Sequence, residues 1–306
     1  MKSTWYQFIV LIFVLIMVPA SQASATVITD SDKRTLVFEA PFTRIISLYP
    51  AHTTNLIDLG VKEAVIATGR SDHQIPGLPK VHFRDDPERL IALRPDLVLI
   101  RPMISRSYPQ LIQRLQQVGI QVVSLQPTGM DELFSYWTTL GKLTGRQQQA
   151  EQLIRSFSEG MAELIHQASD IAAENRKRVY FEAIHKRMKT FAPKSMAIFA
   201  LETAGGINIA ADALQVRETN IASYGKERLL TKADQIDVFL AQHGRMNPVT
   251  VEEIVSEPGF STIRAIKEQQ VFLIDEQLVS RPTMNLLKAA REIRRLLYPE
   301  LEQGAK

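Results

Sequence analysis

Apolar residues fall at Ala150, Leu153, Ile154, Phe157, Met161, Leu164, Ile165, Ala168, Ile171 and Ala172. These three- and four-residue steps are the stripe of one amphipathic helix. Gln147, Glu151, Arg155, Glu159, Glu163 and Asp170 fill the opposite face, and no proline interrupts. The pattern predicts a helix over about 144–175 with Thr144 as N-cap and Gly160 as its one weak spot. At about 1.5 Å per residue it would reach about 45 Å. That is well beyond the usual helix of about 11–12 residues, and long enough to serve as a strut between two lobes.

On both sides of this helix the period switches between two and 3.6. Before it, residues 26–43 read as a mobile start. Strands are then predicted at 44–48, 64–68, 97–100 and 121–125, with helices at 53–59, 87–93 and 108–118. Gly60 and Gly119 stop the first and last of these helices, and Trp137 sits on a further helix leading into the strut. After the strut, strands are predicted at 178–183, 208–210, 238–241 and 271–275. Helices fall at 195–203, 226–233, 251–256 and 285–297, the first closed by Gly205-Gly206. Strand–helix alternation with short turns means α/β lobes with mostly parallel sheets covered on both faces. The expected organisation is a lobe at 26–143, the linking helix at 144–175 and a second lobe at 176–306. Two segments echo each other: Pro87-Glu-Arg-Leu-Ile91 leads into Asp96-Leu-Val-Leu99, and Lys226-Glu-Arg-Leu-Leu230 into Asp237-Val-Phe-Leu240. One such unit per half points to two related lobes.

Length and charge narrow the function. A chain of 306 residues has room for two lobes with real cores. A formal charge of +3 is too small to imply nucleic acid. Residues 1–25 read as a cleavable secretory signal, with Lys2 in the n-region, an apolar run from Phe8 to Val18, and Ala23-Ser24-Ala25 as the cleavage site. The apolar run is short of the roughly 20 residues a membrane span needs. There is no cysteine. Disulfides and a lipid-modified Cys are therefore both excluded, and a free periplasmic protein is expected.

The chemistry-bearing residues gather where strands end. In a parallel sheet, ligands sit beyond the carboxyl ends of the strands. Tyr49 and His52, Arg70, Arg84, and Arg101 with Arg106 occupy those positions in the first half. Such a group of arginines suggests an anion-binding pocket. Enzyme motifs are lacking: there is no G-x-S-x-G, H-E-x-x-H, P-loop or G-x-G-x-x-G. Ser47 and Ser71 lie near His52 and His73 in sequence, without a third group to complete a catalytic set. The histidines (52, 73, 82, 166, 185, 243) show no tight metal-ligand spacing, so no metal or cofactor is expected to reside in the protein.

With these residues in view, the sequence resembles the periplasmic substrate-binding proteins that deliver cobalamin, haem and ferric siderophores to ATP-driven importers. The resemblance rests on Arg44-Ile-Ile-Ser-Leu-Tyr-Pro-Ala51, Pro87-Glu-Arg-Leu-Ile-Ala-Leu-Arg-Pro-Asp-Leu-Val-Leu99, Gly205-Gly-Ile-Asn208, Arg281-Pro282 and the segment from Ala289 to Glu300. It covers nearly the whole chain after the leader. It implies two Rossmann-like lobes joined by one rigid backbone helix, with the ligand between them and only small opening motions. A monomer is expected to serve an ABC permease dimer with its ATPase subunits. By the resemblance, Glu88 and Glu227 dock on permease arginines. The pocket-lining loops correspond to Tyr49, His52, Arg70, Arg84 and Arg101 in the first lobe. In the second lobe they correspond to His185, Arg187, Phe191, Lys194 and Arg281. The sequence departs from the family pattern after Pro282, where Thr283-Met284-Asn285 stands in place of the common Gly-Pro-Arg.

A basic set with a few aromatic faces suits an anionic metal chelate, because Arg offers bidentate donors to carboxylate-like oxygens at any relevant pH. A ferric siderophore is the expected cargo. Haem with Tyr49 or His52 as axial ligand, cobalamin, a molybdate-type oxyanion and bare Zn²⁺ or Mn²⁺ are the alternatives, and a secreted α/β enzyme is the competing class.

Overall fold

The computed structural model describes residues 25–215 and 219–303. The secretory signal therefore lies, apart from Ala25, outside the described residues. Where a mobile start was expected, β1 (Thr26–Thr29) and β2 (Thr35–Phe38) pair as an antiparallel hairpin. Asp30 at its turn organises it: Oδ1 accepts from the N–H groups of Asp32 and Arg34, and Oδ2 accepts from Arg34 Nη2 at 2.7 Å and from the Ser124 N–H at 3.2 Å.

The first lobe runs through β3 (Ile45–Ser47), α1 (Pro50–Asp58), β4 (Val65–Gly69), β5 (Lys80–Val81), α2 (Pro87–Ile91) and β6 (Leu97–Ile100). It finishes with α3 (Pro102–Ser107), α4 (Pro109–Gln117) and β7 (Gln121–Ser124). The five strands are all parallel, in the order β5-β4-β3-β6-β7. From β3 the chain builds outward to β4 and β5, then returns to lay β6 on the other side. The order therefore reverses between β3 and β6.

Next come α5 (Met130–Thr144) and α6 (Gln147–Ser169). The long helix is thus 23 residues, about 35 Å, rather than the expected span over 144–175. Thr144 is the last residue of α5, its hydroxyl donating to the Leu140 carbonyl at 2.7 Å. Gly145 then takes a left-handed conformation (φ 66°) that closes α5. Arg146, not Thr144, is the N-cap of α6. A 3₁₀ turn, Ala173–Asn175, follows the strut as a separate piece. Ala150, Phe157, Met161, Leu164 and Ala168 of the apolar stripe are buried, whereas Ile165 is exposed and Ala172 lies beyond the helix. A continuous period does not reveal the two-residue break, Gly145-Arg146, between two helices.

The second lobe has β8 (Arg178–Ile184), β9 (Lys189–Phe191), α7 (Met196–Thr203), β10 (Ile207–Asn208), β11 (Leu214–Gln215), β12 (Ile221–Ser223) and α8 (Lys226–Thr231). Then follow β13 (Val238–His243), α9 (Val251–Ser256), α10 (Arg264–Lys267), β14 (Val271–Asp275), α11 (Glu276–Val279), α12 (Asn285–Leu297) and α13 (Pro299–Gln303). Its core is parallel, β8 pairing with β10 on one side and with β13 then β14 on the other. The short strands β9, β12 and β11 extend it antiparallel from β8.

The echo read in the sequence has a structural counterpart. In the first lobe Asp96, just before β6, accepts the N–H of Thr43 at 2.8 Å and of Arg44 at 2.9 Å at the start of β3. In the second, Asp237, just before β13, accepts the N–H of Arg178 at 2.7 Å at the start of β8. The same carboxylate device sets the register of the two central strands in each lobe.

Both sheets alternate with period two, and each turns one face to a shared interior. Ile45, Leu97 and Leu99 of the first lobe join Phe157, Met161 and Leu164 of α6 and Val179, Phe181, Leu286 and Ile293 of the second in one continuous core. The opposite faces carry their own clusters, around Ile46, Val98 and Val122 in one lobe and Tyr180, Phe239 and Phe260 in the other. Gly160 marks a close approach of α12 to the strut. A Cβ there would lie 2.6 Å from Leu287 Cδ2 and 2.9 Å from Cδ1. Its role is close packing of α12 on the strut, not weakness in the helix.

Candidate ligand-binding cleft

Open α/β sheets bind ligands beyond the strand ends where the strand order reverses. In the first lobe that point lies between β3 and β6, and the residues following those strands are Tyr49 and Arg101. The Arg101 guanidinium carbon lies over the Tyr49 ring, 4.4 Å from its centroid. Arg281, from the loop between α11 and α12 of the second lobe, acts on the same phenol. Burial raises the Tyr49 pKa, and the charges of Arg101 and then Arg281 oppose that shift. Arg101 thus sits on Tyr49, and Arg281 is held near from the other lobe, since Asn55 Nδ2 of α1 donates to the carbonyl of the next residue, Pro282, at 2.9 Å. Arg101 Nε is buried and unpartnered among the described residues, and Arg281 Nη1 donates to Gln277 Oε1 at 3.2 Å.

A second cationic group forms at the rim. Arg84 Nε donates to the Tyr108 hydroxyl at 2.8 Å, and its guanidinium lies 5.8 Å from the centroid of the Phe83 ring. Arg70 bonds Asp85, a carboxylate also 3.5 Å from Arg89. His82 is held below its usual pKa by burial and by the charges of Arg70, Arg84 and Arg245 against that of Asp85. Arg245 belongs to the second lobe, two residues past β13, so this group too draws on both lobes. The sequence reading missed Arg245. The strand-end rule that selected Arg70 and Arg101 would have found it, had the strand 238–241 been followed to His243.

In the second lobe the reversal lies between β8 and β13. His185 follows β8, its N–H donating to Asn247 Oδ1 at 2.9 Å, while Asn247 Nδ2 donates to the Gln242 carbonyl at 2.8 Å. The His185 imidazole is nearly enclosed, with Nδ1 3.0 Å from Glu182 Oε2, and its pKa is raised by that bond. Glu257 bridges onward, 3.7 Å from His185 Nε2 and 2.6 Å from Lys226 Nζ. Arg187 and Lys194 are exposed. The Lys194 carbonyl touches the first lobe near Gly129, 3.4 Å from where a Cβ would stand.

Two expected lining residues are corrected by burial. Phe191 is wholly enclosed, in edge contact with Phe181 at 4.7 Å between centroids. It is core because β9, a strand the sequence reading did not anticipate, turns it inward. His52 is also fully buried. Nε2 lies 3.1 Å from the Ile100 carbonyl and Nδ1 2.7 Å from the Tyr136 hydroxyl. A carbonyl only accepts, so Nε2 carries the proton and Nδ1 accepts from Tyr136. Burial lowers the His52 pKa to about 3. With both nitrogens engaged it has no lone pair for haem iron. Arg106 lies elsewhere, in a depression of 300 Å³ with Asp32, Arg34 and Gln113.

Glu88 and Glu227 are both exposed in the first turns of short helices, α2 and α8. Arg114 holds Glu88 Oε1 through Nη2 at 2.7 Å and Nε at 2.9 Å. A groove of 1020 Å³ lies at the base of the second lobe, lined by Arg176, Lys177, Asp237, Arg291 and Arg294 among others. Lys177 and Asp237 precede β8 and β13, so this groove is at the wrong end of the strands for the switch-point site. Arg176 and Arg294 there donate to the Ala168 and Gln167 carbonyls and so cap α6. No group of three or more His, Asp or Glu able to hold a metal ion occurs among the described residues.

Two lobes on a shared helical spine, with cations from each converging at the strand ends, define a two-lobed binding protein. The sequence signature of the periplasmic binding protein family matches residues 45–278, more than half the chain, and the chain belongs to that family. As such it is a substrate-binding component of an ABC transporter. It is 22% identical over 282 residues to the uncharacterized ABC transporter substrate-binding lipoprotein YvrC of Bacillus subtilis, covering 89% of this chain and 85% of that protein. Among solved structures, the molybdate periplasmic binding protein MolA of Haemophilus influenzae, bound to molybdate, superposes with a TM-score of 0.72 at 20% identity. That match covers 92% of this chain and 94% of MolA. The ABC-type Fe3+-hydroxamate transport system structure from Saccharomonospora viridis gives 0.69 at 22% identity, covering 89% and 98%.

Proposed function

We propose that the chain captures an anionic metal chelate of the ferric siderophore class between its lobes and hands it to an ABC permease dimer with its ATPase subunits. The observation that carries this reading is Arg101 stacked on the Tyr49 ring at 4.4 Å while Arg281, whose neighbour Pro282 is bonded by Asn55 of the other lobe, lends its charge to the same phenol. Arg70, Arg84 and Arg245 around His82 extend the same positive field, and Asp85, the carboxylate named among them, is already engaged by Arg70. A field of one sign built from both lobes favours a guest that carries negative charge on more than one side. A tetrahedral oxyanion of the molybdate type is the second reading, supported by the Arg101 guanidinium with its buried, unpartnered Nε beside Tyr49. Haem and cobalamin fit less well, since His52 has no free nitrogen and Trp137 is buried in the core rather than set in a wall.

In this reading Glu88 and Glu227 orient the loaded protein on the permease, two rim carboxylates steering a partner without deep burial of charge. The protein is exported, monomeric and free in the periplasm. YvrC is described as a lipoprotein, but this chain has no cysteine to carry a thioether-linked lipid. No helix among the described residues is long and apolar enough to cross a membrane.

The test is equilibrium binding by calorimetry to ferric citrate, a ferric tris-catecholate, a neutral ferric hydroxamate, haemin, cyanocobalamin and molybdate. The anionic ferric chelates are expected to bind best, and Arg101→Ala and Arg281→Ala each to weaken that binding by about 1.5–3 kcal/mol. Preference for the neutral hydroxamate or cobalamin, or unchanged affinity in both variants, overturns the reading. The visible spectrum of protein purified from its own periplasm gives an independent identification of the guest.

A further inference from the structure

Asn55 is completely buried on α1 of the first lobe. Its Nδ2 donates across the lobe boundary to the Pro282 carbonyl at 2.9 Å, a partner 227 residues away, and to the Tyr136 hydroxyl at 3.1 Å. Its Oδ1 accepts from Trp137 Nε1 at 3.0 Å. The amide has one possible orientation. The indole only donates and the proline carbonyl only accepts, so oxygen must face Trp137 and nitrogen must face Pro282. Tyr136 accepts from Asn55 and passes its own proton toward His52 Nδ1, and His52 Nε2 donates to the Ile100 carbonyl. The chain of bonds Pro282–Asn55–Tyr136–His52–Ile100 is therefore continuous, buried and directionally fixed.

Its two ends are significant. Ile100 is the residue before Arg101, and Pro282 is the residue after Arg281. The network ties together the two backbone carbonyls next to Arg101, which stacks on Tyr49, and Arg281 of the other lobe. We propose that Asn55 is a positioning residue that sets the spacing of Arg101 and Arg281 across the cleft, by bonding the Pro282 carbonyl of one lobe to the Tyr136–His52–Ile100 chain of the other. Each member is held in a dry interior, where an unmade bond is costly and the filled network is correspondingly stiff. The strut helix holds the lobes together at large scale. This network sets the last increment of distance at the site itself.

The consequence for binding rests on the anionic-guest reading above, but the spacing itself does not. The chain has no native cysteine, so nitroxides at Met103→Cys, on α3 just after Arg101, and Lys288→Cys, exposed on the α12 helix that follows Arg281, report the distance by pulsed electron paramagnetic resonance without any ligand. Asn55→Asp keeps the acceptor for Trp137 and loses the N–H to Pro282 and Tyr136. It is expected to lengthen or broaden the distance distribution, and Tyr136→Phe to do so to a smaller degree. Trp137→Phe removes a bond to the same amide from outside the chain and is expected to leave the distribution in place. A distribution unchanged by Asn55→Asp, or changed as much by Trp137→Phe, overturns the proposal, because a general loss of core packing would move both.

Ferric citrate titration supplies the second arm. Asn55→Asp is expected to weaken its binding about tenfold in the native background and less than about twofold in Arg281→Ala, the non-additivity of residues acting through one another. Equal losses in both backgrounds overturn the claim that Asn55 acts through Arg281. Failure of the native protein to bind ferric citrate would count against the anionic-chelate reading, and the spin-label distances would still decide the role of Asn55.

Discussion

Acidification should destabilise this protein through His52, by an amount the structure allows to be worked out. The imidazole is buried with Nε2 donating to Ile100 and Nδ1 accepting from Tyr136. Its pKa falls from 6.5 to about 3 in the folded state. The unfolded chain therefore binds the extra proton between about pH 6.5 and 3, and stability falls as pH drops through that window. The loss is negligible above about pH 7.5, roughly 2 kcal/mol at about pH 5, and approaches a ceiling of roughly 5 kcal/mol below pH 3. Glu182 and Asp58 have raised pKa values from burial and act in the opposite sense. The whole-protein profile alone would therefore mislead, and the comparison to make is with His52→Gln, which keeps a donor and an acceptor but does not titrate. Urea unfolding followed by far-ultraviolet circular dichroism at the two higher pH values gives the four free energies. At neutral pH the variant should be less stable by about 1–2 kcal/mol for imperfect hydrogen bonding. At about pH 5 that deficit should shrink by roughly 2 kcal/mol, vanishing or reversing. A deficit of the same size at both pH values would mean that His52 is not held neutral in the fold, and the proton assignment of the network would be lost with it.

Other outcomes follow from the same contacts. Glu88→Ala combined with Glu227→Ala should leave ligand affinity intact and lower uptake through the permease; an equal fall in affinity would remove the docking assignment. Gly160→Val should lower stability by about 2 kcal/mol by driving α12 off the strut at Leu287, read as a lower melting temperature; an unchanged or higher value refutes the close-packing role. Asp96→Ala and Asp237→Ala should each cost about 1–3 kcal/mol in urea unfolding, since each strips a partner from backbone N–H groups at a strand start. An unaffected midpoint in either would break the equivalence of the two lobes.

The two lobes share packed surface as well as a helix. A single core threads both sheets, α6 and α12, so opening the cleft wide would expose buried apolar surface at about 25 cal/mol per Å². Small tilts of the lobes are the affordable motion.

Local periodicity was enough to determine a large part of this protein. The strut's apolar stripe, the strand–helix alternation in each half and the strand-end arginines all depend on residues near one another in the chain, so the sequence displays them directly. The Glu-Arg-Leu echo was legible for the same reason, and the folded chain adds why its acidic residue recurs: Asp96 and Asp237 each seat the neighbouring first strand. What the tertiary structure alone decided is which of these groups meet. Tyr49 and Phe191 both looked like lining aromatics, yet only Tyr49 faces an opposing charge, because β9 turns Phe191 into the core. His52 looked like a ligand, and distant partners at Ile100 and Tyr136 make it a buried neutral link. Asn55 carried no local signal of function, and Arg245 and Pro282, though placed by local pattern, gave no sign of the partners they meet. Their roles arise from contacts across the lobe boundary, and a pattern of polar and apolar positions records how a segment folds, not which remote segment it will bond.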